Sequence, residues 1–381
     1  MYSWHGELYL TRYFPAAVKH FFQPDQLIVA MTEEARQSNA EGLGDELQYD
    51  TVCIPSGRTE EEYWEIFTRI ADAIPERCEL LIDITHGFRS QPLFVLAIAQ
   101  YLSVVKDVKV RQVIYGAFEA RADDVTPIFD LTPFLDVLRW SDAASVYAKH
   151  GAAGPLRDVI RESVGDDDTR IARRLRTISD TIDRLALAQS LNRPGATLTE
   201  GAKLANSIES LGERLAPIGR VRPLETLLST IVPYAHTLGL AREELFSAEG
   251  FEAQAAMIRR YLDTGQFVQA LTLAREAIVS KRCTEAGGNP LLRRDREPAE
   301  EGLKQLENDF RSGIDLGEDE RALIDLWIAL RNVRNDVNHA GMSKSAAAPE
   351  RTKAIILDVC PRAAAYIERR AGVSPSDFHF P

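Results

Sequence analysis

The chain has 381 residues, enough for two or three domains, and its hydrophobic content of 45% is ordinary for a globular protein. A net charge of −12 excludes a protein that coats nucleic acid through a general positive field, so any nucleic-acid contact must be local. The four cysteines form no CxxC pair, which argues against a zinc site, and the longest apolar run, over 93–105, is too short to cross a membrane. We therefore expect a cytoplasmic protein without a metal site.

Residues 1–140 alternate between short apolar runs and stretches with helical periodicity. The apolar runs predict strands at 27–31, 51–54, 80–84 and 108–115. The periodic stretches predict helices over 63–74 and 93–104, and 126–140 is predicted to be an exit strand and turn. Strands that are almost continuously apolar and are separated by helices form a parallel sheet covered on both faces. The first part of the chain is therefore predicted to be a Rossmann-like, doubly wound α/β domain.

Sheets of this kind bind their ligands beyond the carboxyl ends of the strands. The richest segment there is 83–90, which offers a hydroxyl, an imidazole, a glycine, an arginine and a serine directly before a predicted helix. That combination suits an anion or a phosphate. The alternative is a turn in which Thr85 and Ser90 only cap the helix. The candidate ligand contacts at the strand ends are Thr32, Ser56, Gly57, Thr85, His86, Gly87, Arg89, Ser90 and Gly116.

From Trp140 onward the pattern is helical, without strands. Helices are predicted over 143–149, 156–164, 169–191, 198–215, 223–238, 250–262 and 267–280. The segment Cys283–Glu301 contains Gly-Gly-Asn-Pro and three arginines, which predicts a polar loop. A further apolar helix is predicted over 322–330.

The polar end of that last helix, 331–339, holds an imidazole, two arginines and several amides. Helical spacing puts Asn335 and His339 on one face, with Arg331 one turn earlier. Arg334 lies roughly 140° around the helix from His339, so the two converge only if the helix distorts or a second copy meets it. Such groups can bind a phosphodiester and move a proton on it. The alternative is a solvated helix end that the histidine caps, because cations suit that end of the helix dipole.

Two motifs of this sequence resemble those of a known family. Asp83-Ile84-Thr85-His86-Gly87-Phe88-Arg89 is similar to the D-x-T-H-G-x-R signature of CARF domains in CRISPR-associated proteins. Arg334-Asn335-Asp336-Val337-Asn338-His339 is similar to the R-N-x-x-x-H form of the HEPN ribonuclease motif. The likeness extends over 114–119, 127–131 and 273–277. The resemblance implies three regions, which are a CARF sensor domain at 1–140, connecting helices at 141–265 and an all-α HEPN ribonuclease domain at 266–381.

The family resemblance implies an effector of type III CRISPR defence. Its CARF domain would bind cyclic oligoadenylate, and binding would activate a metal-independent endoribonuclease for single-stranded RNA, formed across a homodimer, with no cofactor. The matching positions give His339 the role of proton transfer or 2′-hydroxyl positioning, Arg334 that of stabilising the phosphate and Asn335 that of positioning it. Glu276 is a weaker candidate for an orienting residue, and a structural role suits it better.

One feature of the chain departs from the family pattern. Family members begin with an apolar strand and a glycine-containing loop that forms part of the ligand pocket. Residues 1–20 resemble the sequence that follows that strand, so the resemblance implies either a short N-terminus or a misplaced start codon. A missing first strand would remove one wall of the pocket.

Two other functions stay open from the sequence. In the first, the chain is a nucleotide-sensing regulator whose helical half serves only dimerisation. In the second, the first domain cleaves its own cyclic activator, with His86 or a neighbouring hydroxyl orienting an adenosine 2′-hydroxyl.

Overall fold

The computed structural model contains two compact units, Met1–Leu138 and Arg139–Pro381. The residues that it describes are 1–86, 91–211, 228, 231, 233–342 and 347–369, with only the backbone of 91–93. Three of the predicted ligand contacts, Gly87, Arg89 and Ser90, lie outside these residues. The division into units falls at 138, close to the predicted domain boundary at 140.

The described part of the first unit alternates strands and helices, as its sequence predicts. Its strands are β1 (Tyr2–Trp4), β2 (Glu7–Tyr9), β3 (Ile28–Met31), β4 (Asp50–Cys53), β5 (Glu79–Asp83), β6 (Lys109–Gly116) and β7 (Thr126–Asp130). Its helices are α1 (Phe14–Phe22), α2 (Glu33–Glu46), α3 (Glu60–Ala73) and α4 (Gln91–Val105). The predicted Rossmann-like α/β class is confirmed.

The strands of the first unit form two sheets. One has the order β2-β1-β7-β6-β5 and the other pairs β3 with β4. The pairs β1–β7, β3–β4 and β5–β6 are parallel, whereas β1–β2 and β6–β7 are antiparallel. The antiparallel return of β7 has a physical reason, because residues 117–125 between β6 and β7 are too few for the crossover of about a dozen residues that a parallel strand needs.

Phe14 is the centre of the apolar core beside β6. It is fully buried and clusters with Val18, Ile114 and Ile128. Gly116, at the end of β6, admits this ring, because a Cβ there would lie 2.7 Å from Phe14 Cε2. The core of the first unit therefore reaches the carboxyl end of β6, where ligand contacts are predicted.

The rest of the described chain is helical, as predicted. Its helices are α5 (Thr132–His150), α6 (Gly154–Val164), α7 (Arg170–Ser190), α8 (Pro194–Glu209), α9 (Ala248–Asp263), α10 (Phe267–Glu285), α11 (Arg293–Arg311), α12 (Glu318–Asn338) and α13 (Pro349–Glu368). A single apolar cluster extends from Trp140 to Ile367 and draws on all of them. The predicted connecting helices and the predicted ribonuclease helices thus share one core, and their functional division at 265 stays a prediction.

Two local predictions were wrong. The strand predicted within 126–140 is β7, but the turn predicted after it is the start of α5, where Pro133 occupies a first-turn position that suits proline. The predicted polar loop Cys283–Glu301 contains the first half of α11. That half is almost entirely charged and has a proline at 298, so it shows no apolar periodicity before Leu303.

Gly250 provides a test of packing in the helical unit. A Cβ at this position in α9 would lie 2.0 Å from the carbonyl oxygen of Glu244 and 2.5 Å from that of Leu245. We expect Gly250→Ala to lower the free energy of unfolding by about 2–3 kcal/mol, because backbone must move to admit the methyl group. Urea denaturation measures the change.

Gly302 in α11 is the matched control, because a Cβ added there would have nothing within 4 Å. Gly302→Ala should raise the free energy of unfolding by about 0.5–1 kcal/mol through the lower entropy of the unfolded chain. Equal effects of the two substitutions would contradict this explanation of Gly250.

Candidate functional site

Thr85 ties the end of β5 to the end of β6. Its hydroxyl donates to Asp83 Oδ1 over 2.6 Å and accepts a hydrogen bond from the Gly116 backbone N–H over 2.8 Å, and its own N–H donates to the same Asp83 oxygen. A hydroxyl has one donor and two acceptor positions. One acceptor position is therefore all that Thr85 can offer a ligand, and the structure brings Thr85 and Gly116 together mainly as a structural clamp.

The same arrangement occurs at the end of β7. The N–H and hydroxyl of Thr132 both donate to Asp130 Oδ1, and the hydroxyl accepts from the Val113 N–H over 3.0 Å. Both clamps hold backbone N–H groups of β6. Both strand ends carry the sequence Asp-x-Thr, but the spacing alone does not distinguish such a clamp from a ligand contact.

The carboxyl group of Asp83, which accepts the hydrogen bonds of this clamp, has a raised pKa. Burial raises the pKa of Asp83, and the hydrogen bonds from Thr85 and the positive charge of a protonated His86 offset part of that increase. The pKa of Tyr2 is also raised, first by burial and then by the negative charge of Asp83.

His86 is the predicted ligand contact in this region whose side chain is exposed. Its ring meets the buried ring of Phe14 edge-on, with centroids 6.4 Å apart and planes at 83°. The described residues supply no hydrogen bond to the imidazole, so both ring nitrogens are open to a ligand.

The other predicted ligand contacts follow β3 and β4, in the second sheet. Thr32 caps α2, since its hydroxyl accepts from the Ala35 N–H over 3.2 Å. Gly57 has φ +68°, and a Cβ there would lie 3.3 Å from the ring of Tyr63. Ser56 precedes it. The structure therefore divides the predicted contacts between two sheets, which no described ladder joins.

The predicted catalytic residues lie at the C-terminal end of α12. The helix ends at Asn338, and His339 is its C-cap. The Ala340 N–H donates to Val337 O and the Gly341 N–H to Asp336 O, with Ala340 at φ +53°, which is a Schellman closure. Gly341 is therefore part of the helix stop, and His339 sits where the helix dipole favours a cation.

Arg334 is held by amides rather than by a carboxylate. With the Asn338 amide oriented to match its surroundings, its oxygen accepts from Arg334 Nε over 2.8 Å and Nη2 over 3.2 Å. The Asn335 oxygen lies 3.5 Å from Arg334 Nη1. Among the described residues no acidic side chain pairs with Arg334, so its charge is available to a phosphate. Asn338 is the residue that sequence reasoning missed, although its spacing of four from Arg334 was visible.

His339 is exposed, and its side chain makes no hydrogen bond or ion pair within the described part of the chain. Arg334 and His339 are likewise not joined by any described contact. One copy of the chain thus presents the guanidinium and the imidazole as separate groups at one helix end.

Arg331 serves the structure instead. It pairs with Glu307 of α11, which is 5% exposed and also accepts from Arg311 Nη2 over 2.6 Å. Glu276 has a similar structural setting, since it pairs with Arg275 and Arg296. Glu276 makes no contact with Arg334 or His339 among the described residues. Such a contact would be needed for the alternative, an orienting role in catalysis.

The described residues contain no group of three or more histidines, cysteines or acidic residues that could hold a metal ion. Within the same residues, no helix combines the length and apolar composition that crossing a membrane requires.

Asp83 gives a prediction about pH. Because its pKa is raised in the folded chain, ionisation above the ordinary carboxyl value of 3.8 works against folding, and stability falls as pH rises. We expect Asp83→Asn, which keeps the acceptor oxygen, to melt at a higher temperature than the wild type at pH 8. The difference should shrink toward pH 4. Thermal melts followed by circular dichroism measure it.

Asp130→Asn is the control for that pH dependence, because Asp130 makes the same contacts to Thr132 at an exposed position. Its substitution should produce no gap that grows with pH. A gap at Asp83 that grows as the pH falls would contradict our explanation of that carboxyl group.

No family model matches this chain. A search of curated proteins finds the CRISPR-associated protein MJ1674 of Methanocaldococcus jannaschii, which is 24% identical over 300 residues. The match covers 76% of this chain and spans 42% of the length of that relative. The resemblance identified from the two motifs is therefore confirmed: the chain is related to a CRISPR-associated protein, and the similarity supports its assignment to the CARF–HEPN family.

Proposed function

We propose that the chain is a type III CRISPR ancillary effector, an endoribonuclease that cleaves single-stranded RNA without a metal when cyclic oligoadenylate is bound. The observation that carries the proposal is the end of α12, where Arg334 has no described acidic partner and the imidazole of His339 is exposed. In RNA cleavage through its own 2′-hydroxyl, an imidazole can transfer the proton and a guanidinium can stabilise the charge on the phosphate.

The reaction proceeds by attack of the ribose 2′-oxygen on the adjacent phosphorus. The new bond joins the 2′-oxygen to phosphorus and the bond from phosphorus to the 5′-oxygen breaks. One proton leaves the 2′-hydroxyl and one reaches the departing 5′-oxygen, so the products carry a 2′,3′-cyclic phosphate and a 5′-hydroxyl. His339 moves or orients the first proton, and Arg334 stabilises the charge that builds on the phosphate. Asn335 positions that phosphate.

A homodimer supplies the geometry that one helix end lacks. Arg334 and His339 of one copy make no described contact with each other. Two such ends facing each other would put both kinds of group around one phosphate, which is the arrangement that the family resemblance implies. Separation of the two groups within one copy also gives a reason for low activity in the absence of an activator.

The activator site is proposed at the carboxyl ends of β5 and β6. His86 is exposed there and lies edge-on to Phe14. Its two ring nitrogens can meet phosphate or adenine. Activation requires that cyclic oligoadenylate bind the active arrangement of the dimer better than the idle one, by about 1–3 kcal/mol for an ordinary allosteric coupling.

The test is cleavage of a fluorescent single-stranded RNA in EDTA, with and without cyclic tetra- or hexa-adenylate. We expect activator-dependent cleavage by the wild type and a loss of about 10²–10⁴-fold in His339→Ala, as removal of a general acid or base causes. His236→Ala is the matched control, because His236 is an exposed histidine of the same unit that pairs with Glu209.

The other possible outcomes distinguish the alternative functions from the proposed one. Activator consumption without RNA cleavage would support a first domain that degrades its own activator. Activator binding without either reaction would support a sensing regulator. Equal cleavage by His339→Ala and the wild type would contradict the proposed role of His339.

Asn338 gives a second prediction for the same assay. Because its oxygen orients Arg334, we expect Asn338→Ala to lower kcat about tenfold with little change in KM, since small misplacements at a reacting centre cost such factors. Asn338→Asp should lower kcat further, because a carboxylate would compete with the phosphate for Arg334.

Asn332→Ala is the control, since Asn332 is exposed and contacts Arg331 instead, over 3.4 Å. Its activity should match the wild type. If Asn338→Asp were as active as the wild type, Arg334 would not be binding the phosphate.

A further inference from the structure

The helical unit contains a cavity that the proposed ribonuclease site does not use. It has a volume of about 360 Å³ and lies between α5, α9 and the helical segment at 233–237. Pockets for small molecules occupy roughly 300–1,000 Å³. Part of its wall is formed by small side chains, Ala144, Ala148 and Ala256, which leave room for the body of a ligand.

Three charged residues, Arg259, Arg260 and Asp263, line this cavity, and Arg260 is the one that contacts its aromatic rings. Its guanidinium carbon lies 5.8 Å from the ring centroids of both Tyr147 and Tyr234, within the range of cation–π contacts. One of its N–H groups donates to the Tyr147 carbonyl oxygen over 2.9 Å. A guanidinium has five N–H donors, so most of them stay available after these contacts.

The charge of Arg260 is not neutralised by an acidic side chain among the described residues. The neighbouring Arg259 makes the contrast, because it pairs with both oxygens of Glu368. Asp263 also lines the cavity but forms no described ion pair with Arg260. Burial raises the pKa of both Tyr147 and Tyr234, so neither phenol supplies a negative charge.

An arginine that is held by aromatic rings and a carbonyl keeps a charge that water only partly solvates. Interaction with an anion is stronger in such a setting than at an open surface. The planar fork of the guanidinium matches two oxygens of a phosphate or a carboxylate. The part of the ligand beyond its anionic group would pack against the alanine side chains. That part must therefore be compact and largely apolar or planar.

We propose that this cavity binds a small organic oxyanion of mononucleotide size, with its phosphate on Arg260 and its body against the alanines. A phosphate and a carboxylate share the recognition chemistry, and the test separates them. The site does not depend on the proposed ribonuclease activity.

Isothermal titration calorimetry of the full chain with uridine 5′-monophosphate is the direct test. Uridine, inorganic phosphate and benzoate are the comparison ligands. We expect uridine monophosphate to bind at least tenfold more tightly than uridine, which lacks the anion, and than phosphate, which lacks the body. Arg260→Gln should weaken its binding at least tenfold. Arg362→Gln, an exposed arginine of α13 paired with Asp358, should leave it unchanged.

Ala256→Leu tests the same cavity without touching the guanidinium, in case Arg260→Gln fails to fold. It should also weaken binding at least tenfold, with an unchanged melting temperature. Binding of uridine monophosphate that survives both substitutions would overturn the proposal, as would no binding at all at millimolar concentration. Tighter binding of benzoate with the same dependence on Arg260 would overturn the choice of phosphate over carboxylate.

Discussion

The ion pair between Glu307 and Arg331 is the interaction on which the end of α12 depends. Glu307 is almost fully buried, and a buried carboxylate is tolerated only when it is paired. It meets this requirement with Arg311 on its own helix and Arg331 on α12, so it fixes α11 against α12. The ion pair also neutralises the charge of Arg331. Arg334, three residues further along the helix, meets only amides in the described part of the chain, and this difference separates a structural arginine from a proposed functional one.

Much of the fold could be predicted from the sequence because burial leaves a strong pattern. The runs around Ile82 and Ile114 are apolar since they lie in the core, and both are strands. The antiparallel pairing of β7 with β6 was not predicted. The relative direction of two neighbouring strands depends on the length of the connection between them rather than on the apolar pattern of each strand. The start of α11 was missed for the opposite reason: its residues are charged and largely accessible to solvent, so no periodicity marks them.

The site was predicted less completely than the fold. The segment 334–339 gave the proposed catalytic residues, because their types and spacing suit phosphodiester chemistry. The spacing could not show which arginine is neutralised, since Glu307 lies on another helix. At the other end of the chain, Thr85 stays a predicted ligand contact, but most of the hydrogen-bonding capacity of its hydroxyl is used to join Asp83 to the backbone of β6. Whether a polar side chain is already satisfied by its own fold is a property of tertiary contacts, and a motif alone does not record it.

We propose that RNA is cleaved by its own 2′-hydroxyl at Arg334 and His339. The ends of the RNA fragments test it most directly. Mass spectrometry of fragments made in EDTA with cyclic oligoadenylate should show a 2′,3′-cyclic phosphate on one side of the break and a 5′-hydroxyl on the other. Fragments that carry a 3′-hydroxyl and a 5′-phosphate would require attack by water, and would contradict the claim.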